Sequence, residues 1–360
     1  MIHVIFVVSI IFFLQSCGPT SEISTYDSPA KEYKWKMVTA WPPNSPINQE
    51  SVERFAENVR IMSRDRLKIQ VFAGGELVPP LQAFDAVSQG GVEMAHAASY
   101  YWAGKIPAAQ FMTVVPFGLT QKGAWAWIYA GGGLALWKKL YEPFGVVPFP
   151  MGNTGIQMGG WFNKEIKTVD DLKGLKIRMP GLGGKVLAKA GANPVNIDPG
   201  ELYMAVERGI IDATEWVGPV FDKRQGLDEV AKYYYFPGWH EPGSQLELII
   251  NSKSWSELSK DLQAIVESAA AQASIEIFSQ SEVQNTATLL QMKAEGAVEI
   301  VEFPPEVIKE LRRLTILVLE EESSIDPEFS DILQSYQKFE QDYREYQAVT
   351  EKPYSKSIAD

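Results

Sequence analysis

GLKIRMPGLGG, residues 174–184, reads as a short strand from Leu175 to Met179 that stops at Pro180 and opens into a glycine-rich loop. Proline cannot donate to a sheet ladder, so the strand ends there. Gly181, Gly183 and Gly184 allow backbone to come close to a ligand. Arg178 sits at the carboxyl end of the strand, at the lip of that loop. A guanidinium so placed suits bidentate capture of a carboxylate; the alternative is a surface arginine in a salt bridge.

The segments on either side are built on one plan. Upstream, Trp35 to Trp41 reads as a strand, and Val52, Phe55, Val59 and Met62 recur at helical spacing up to about Ser63. Leu67 to Phe72 alternates as a strand. Leu81, Phe84 and Val87 mark a helix closed by Gly90-Gly91, and Val92 to Ala98 is a third strand. This β-α-β-α-β order predicts a mainly parallel sheet with helices on both faces. Trp41, Tyr100, Tyr101 and Trp102 then fall beyond the carboxyl ends of strands, where such sheets bind ligands. Val146 to Pro150 and Gly155 to Asn163 read as strands around the loop Met151–Thr154. Thr168 to Asp171 resembles a capping box. Asp198-Pro199-Gly200-Glu201 reads as a capped helix start, that helix ends at Gly209, and Ile210 to Trp216 runs into the sheet. Ser254 to Glu295 holds neither Gly nor Pro and reads as one long helix, broken at most once, of the kind that spans lobes or pairs subunits. Val298 to Phe303 is a last strand, and an amphipathic helical tail follows Pro305.

A chain of 360 residues favours two core-forming lobes. The 33 basic against 45 acidic residues argue against a nucleic-acid partner. The single cysteine, Cys17, excludes a disulfide framework. Ile2 to Leu14 is almost wholly apolar but too short to span a bilayer, and Leu14-Gln15-Ser16-Cys17 resembles a bacterial lipobox. Residues 1–16 are therefore read as a lipoprotein signal peptide, Cys17 as the lipidated residue, and 17–34 as a polar tether.

The sequence holds no G-x-S-x-G, H-E-x-x-H or phosphate loop, and Gly131-Gly132-Gly133 reads as a loop or helix break. With three histidines, His3, His96 and His240, a transition-metal site is poorly supplied. Two acids stand in apolar company, Glu215 before Trp216 and Glu241 after Trp239-His240. Such an acid needs donors or a cation, and no basic partner for it is evident in the sequence. A hard cation with oxygen ligands is the economical solution, with Gln157 and Asn153 able to supply amide groups.

GIQMGGWFNKEIKTVDDLKGLKIRMPGLGGKVL and NPVNIDPGELYMAVERGIIDATEWVGP, followed by the aromatic loop at Trp239, resemble the solute-binding subunit of TRAP (tripartite ATP-independent periplasmic) transporters over roughly Trp35 to Arg313. Glu215-Trp216 with Gln157 upstream resembles the branch that binds 2-oxo acids and lactate through a bridging metal ion. The resemblance implies an α/β, two-lobed periplasmic binding protein fold with hinge strands and a long C-terminal spine helix. The solute-binding domain covers 35–313, its lobes discontinuous in sequence, and 314–360 is a helical tail compatible with a homodimer. It implies Arg178 pairing with the ligand carboxylate. Gln157, the Glu215 side chain and the Trp216 carbonyl would hold a sodium or calcium ion, Glu241 would complete the pocket, and Tyr101 and Asn153 would bond the ligand. The function implied is an extracytoplasmic receptor, not an enzyme, that passes a small 2-oxo or 2-hydroxy monocarboxylate to the TRAP permease subunits. Two rivals stand beside it: a metal-free TRAP receptor for a dicarboxylate or sugar acid, and a metal-dependent lyase or hydrolase.

Overall fold

The computed structural model describes residues 31–358; the segment read as signal peptide, Cys17 and most of the tether lie outside the described residues. The chain lays down β1 (Tyr33–Thr39), β2 (Leu67–Phe72), β3 (Met94–Ala97) and β4 (Val146–Asn153) in a first lobe. It builds β5 (Gly160–Phe162), β6 (Lys176–Arg178), β7 (Asn193–Val195), β8 (Ala213–Thr214) and β9 (Tyr233–Phe236) in a second. It then returns through β10 (Gln245–Asn251) and leaves again for β11 (Glu299–Glu302). The sheets run β2-β1-β3-β10-β4 and β11-β9-β5-β8-β6-β7. β1 is parallel to β2 and β3, whereas β10 is antiparallel to both β3 and β4. In the second sheet only β5 runs against its neighbours. Both lobes are thus mainly parallel, as read, with one reversed strand each.

β1 shows why the first sheet is covered on both faces. Trp35 and Met37 join a core with Val52, Phe55 and Val59, while Val38 joins the core on the other side. The 36-residue spine helix Lys260–Glu295 lies across β4. Its approach needs small groups. Ala269, Ala270 and Ala273 are buried, Ser274 Oγ accepts the Gly152 N–H at 2.8 Å, and Gly152 has φ 117° with Ile277 where a Cβ would stand. Further along, Asn285 Oδ1 accepts the Val220 N–H of the second lobe at 3.0 Å. The spine therefore touches both lobes, and the chain leaves the first sheet after β4 and returns to it at β10. The single break falls at Leu258-Ser259, after the short helix Ser252–Glu257 that Asn251 caps.

Several boundaries differ from the sequence reading. The glycines after Pro180 do not form an open loop: they begin the helix Gly181–Lys189. A Cβ on Gly184 would lie 2.3 Å from the Met179 carbonyl oxygen, and one on Gly183 3.0 Å from both His240 Cβ and Met179 Sδ. These glycines serve close packing rather than a backbone cradle. Residues 151–153 continue β4 instead of looping, and the strands read at 155–163 and 210–216 shrink to three and two residues. The capping box at Thr168 is present, but Asp198 makes no side-chain cap to its helix. Gly131 to Gly133 do break a helix.

The boundary drawn at 313 falls inside the first tail helix, Pro305–Ile325. That helix packs on Gly181–Lys189 of the second lobe, with Lys185–Glu322 and Lys189–Glu321 ion pairs. Asp326 caps the second tail helix, Pro327–Val349, accepting from the Glu328 and Phe329 N–H groups. This helix turns back onto the first lobe, where Phe329 meets Phe111 at 4.5 Å between ring centroids. A short third helix, Glu351–Ser357, ends the tail. Among the described residues no helix is long and apolar enough to cross a membrane.

β10 also buries an acid, Glu247, whose carboxylate accepts from Tyr141 Oη at 3.0 Å; that oxygen accepts in turn from Trp102 Nε1 at 2.8 Å. Burial pushes the Glu247 carboxyl up to about 8, the Tyr141 hydrogen bond offsetting little of it. A raised acid holds its proton in the folded state after the unfolded chain has lost it. Its contribution is full below the unfolded value near 4.5 and is lost as pH rises through 8. Glu247→Gln removes that loss. It should exceed wild type in stability by on the order of 2–4 kcal/mol at pH 8 and match it near pH 4.5, as read from urea midpoints.

Candidate functional site

The side chains singled out in the sequence converge where strand ends and loops of the two lobes meet. Arg178 ends β6 and is fully buried. The Glu215 N–H donates to the Arg178 carbonyl at 3.2 Å, so the segment leaving β8 runs beside β6. Arg178 Nη1 donates to Glu215 Oε1 and, at 3.1 Å, to the Glu215 carbonyl oxygen. The basic partner that the sequence did not reveal for Glu215 is therefore Arg178 itself. Its Nε and Nη2 have no partner. These two nitrogens form one edge of the guanidinium, the edge that takes a carboxylate side-on.

Glu215 uses only one oxygen on Arg178. Oε2 is buried without a hydrogen bond and lies 3.5 Å from His240 Nε2. Burial pushes the Glu215 carboxyl up to about 7, and Arg178 offsets only part of that. Glu241, also buried, accepts from Ser244 Oγ, and burial followed by the Glu215 charge raises it to about 7. His240 is pushed down to about 4 by burial and stands neutral between these acids, both ring nitrogens unpartnered. One ligating atom from each of Glu215, His240 and Glu241 lies within 4.8 Å of the others.

Gln157 closes the other side. Its N–H donates to the Glu241 carbonyl at 3.1 Å and its Nε2 to Thr154 Oγ1 at 3.1 Å, while Oε1 is buried and unpartnered. Gly238 permits this approach, since a Cβ there would fall 2.1 Å from the Gln157 carbonyl oxygen. Tyr101 brings its hydroxyl from the first lobe to the Arg178 guanidinium, without a hydrogen bond under 3.5 Å, and burial pushes the phenol up to about 12 although Arg178 opposes the rise. The Trp216 ring lies 5.5 Å from the Arg178 guanidinium carbon and 6.3 Å from the Trp41 ring of the facing lobe. Asn153 is placed differently: its Nδ2 donates to the Gly243 carbonyl and its Oδ1 accepts the Gly155 N–H. It shapes the hinge loops.

Two features escaped the sequence reading. His240 belongs to the cluster although histidines had been set aside, and its place between Trp239 and Glu241 was the available signal. His96 serves structure: its Nδ1 accepts from Trp41 Nε1 at 2.6 Å, which leaves Nε2 to donate to the Met151 carbonyl at 2.6 Å. Burial holds it down at about 4, so it is neutral.

The arrangement offers a free guanidinium edge and a phenol as donors, with a carboxylate oxygen and an amide oxygen beside them as acceptors. Donors of that kind hold a carboxylate, and oxygens of that kind hold a hard cation. The unpartnered Glu215 Oε2, in the cluster with His240 and Glu241, fits an ion there, and Gln157 offers a second unpartnered oxygen.

The profile of the family described as bacterial extracellular solute-binding protein, family 7, matches residues 37–324. The monocarboxylate 2-oxoacid-binding periplasmic protein of Nostoc sp. is 42% identical over 343 residues, 95% of this chain and 93% of its own. A TRAP periplasmic solute binding protein of Colwellia psychrerythraea, solved with bound calcium and pyruvate, is 42% identical. It superposes with a TM-score of 0.88 over 91% of this chain and 100% of its own. Its counterpart from Pseudoalteromonas atlantica, solved with sodium and pyruvate, is also 42% identical with a TM-score of 0.89 over the same shares.

Gly238 provides a test of the packing under the site. Gly238→Ala forces a methyl against Gln157 backbone and should cost at least about 2 kcal/mol in urea denaturation. Gly104→Ala, with nothing within 4 Å of the added methyl, should stay near wild type.

Proposed function

The chain belongs to the bacterial extracellular solute-binding proteins of family 7, and from that premise we propose that it is the periplasmic receptor of a TRAP transporter for a small 2-oxo or 2-hydroxy monocarboxylate bound together with sodium or calcium. The family is one of receptors, so the work is capture and delivery to the permease, without covalent change. The observation that carries the ligand class is the Arg178–Glu215 pair: one guanidinium nitrogen is committed to Glu215, a whole edge is left for a carboxylate, and Glu215 Oε2 is free beside it.

In this reading the Nε and Nη2 edge of Arg178 takes the ligand carboxylate and the Tyr101 hydroxyl donates to the ligand. Glu215, Gln157 and the Trp216 carbonyl hold the ion, and Glu241 completes the pocket. Asn153, engaged with the loop backbone, acts on the ligand through the shape of its pocket. An ion held by these oxygens would screen Glu215 from the ligand's negative charge and favour a ligand with a second oxygen next to its carboxylate. Closing lobes exclude water, which strengthens each of these charged contacts. Against the metal-free dicarboxylate or sugar-acid reading stands the Glu215 oxygen, which would face such an anion as a like charge. Against a lyase or hydrolase stands the receptor family itself.

That preference has a plain test. Pyruvate and lactate should bind far more tightly than propionate, which lacks the second oxygen, and removal of sodium and calcium should weaken the first two. Glu215→Gln should lower affinity and cation dependence together. Equal calorimetric affinities for all three acids with and without cation would reject it. Arg178→Lys keeps the charge and loses the fork; it should cost about 2–4 kcal/mol of pyruvate binding with the fold intact.

We also propose that the receptor is tethered by lipid at Cys17, on the strength of Leu14 to Cys17 and the polar stretch after it. Cys17→Ser should abolish palmitate labelling in cells and leave ligand binding unchanged; undiminished labelling would remove the anchor. Self-association through the tail is compatible with the exposed Tyr346, Val349 and Tyr354 near its end.

A further inference from the structure

The turn Pro116-Phe117-Gly118, between β3 and β4, lies between the tail helices and the loop that carries His240 and Glu241. Phe117 has φ 58°, a left-handed conformation that a bulky residue keeps only where its surroundings impose it. It is held on two sides. Toward the site, its N–H donates to the Trp239 carbonyl at 2.8 Å and its ring stacks on Trp239, 5.6 Å between centroids. Toward the tail, Arg344 Nη2 donates to the Phe117 carbonyl at 2.8 Å and the Arg312 guanidinium carbon stands 4.9 Å from the ring centroid. The next N–H but one, that of Leu119, donates to Tyr336 Oη at 2.7 Å. A Cβ on Gly118 would fall 2.3 Å from that same oxygen, so the tail comes this close only over glycine.

The Trp239 loop is fastened at its other end by the site itself, through the Gln157 N–H on the Glu241 carbonyl. Phe117 therefore fixes one side of the turn whose far side carries two members of the buried cluster. We propose that Phe117 is a positioning residue, a latch through which the tail helices hold residues 238–241 in the closed, ligand-retaining arrangement. The two tail helices pack on different lobes and turn at Asp326, so the strap that holds the latch spans the cleft. Opening the cleft breaks the Phe117–Trp239 contact, and the latch slows release rather than assisting entry. Its effect on ligand retention rests on the receptor function proposed above; its effect on the loop does not.

Two readings on the full chain test it. Hydrogen exchange of ligand-free protein reports the loop, and stopped-flow tryptophan fluorescence with pyruvate in calcium reports release. Arg344→Gln, at a half-exposed position where the fold is retained, should speed exchange over 238–243 about ten-fold. It should raise the pyruvate off-rate about five-fold and leave the on-rate nearly unchanged. Phe117→Ala should do the same more strongly, and Phe117→Tyr, which keeps the ring, should recover most of the protection. Unchanged exchange over 238–243 in both Arg344→Gln and Phe117→Ala overturns the latch. If wild type takes up no pyruvate in calcium, the receptor reading falls and the exchange experiment still decides the latch.

Discussion

The site depends on one buried contact, that of Arg178 with Glu215. Neither side chain is exposed, and taking two such charges out of water still costs several kcal/mol each after relaxation. A pair kept for stability alone would satisfy both partners. This one does not, because the guanidinium commits one nitrogen and the carboxylate one oxygen. Folding thus carries the desolvation cost in advance, and the remaining hydrogen-bonding capacity is turned toward the cleft. A ligand that enters finds donors already dry and fixed, so its binding energy is not used to order or strip them.

The surrounding fold is arranged to let backbones meet at that point. Gly183 and Gly184 bring the helix after β6 onto Met179 and His240, and Gly238 brings the Trp239 loop onto Gln157. Each contact fails with a single added carbon. The spine helix approaches β4 in the same manner, through Gly152 and Ser274. β4 and β10 lead into and out of the second lobe beside the site, so Gln157 and Glu241 sit at the base of the hinge.

Arg178 could be read from sequence because its signal is local: a strand, a proline and glycines fix the end of an element, and the charge stands at that end. The two-lobed α/β order was legible for the same reason. The partner of Glu215 was not, since 37 residues separate it from Arg178 and only strand pairing brings the two together. His240 was missed on a count of histidines, although burial beside two acids, and not number, decides its place. The glycine run was misread because glycine marks both an open loop and a tightly packed helix start. Only the neighbours of each missing Cβ distinguish the two. The tail boundary was drawn where the family resemblance ends, which does not see that one helix crosses it.

Charge balance ties the acids of the cluster to the identity of the ion. Arg178 supplies one positive charge, and Glu215 and Glu241 supply one negative charge each when ionised. A monocarboxylate adds another. With both acids ionised, a divalent ion brings the enclosed sum to zero; with Glu241 protonated, a monovalent ion does so. A site from which water is excluded tolerates little residual charge. The Colwellia psychrerythraea relative, solved with calcium, and the Pseudoalteromonas atlantica relative, solved with sodium, hold pyruvate on closely similar folds. In this chain burial raises both Glu215 and Glu241 to about 7, so the pocket carries less negative charge before a ligand enters than two exposed carboxylates would.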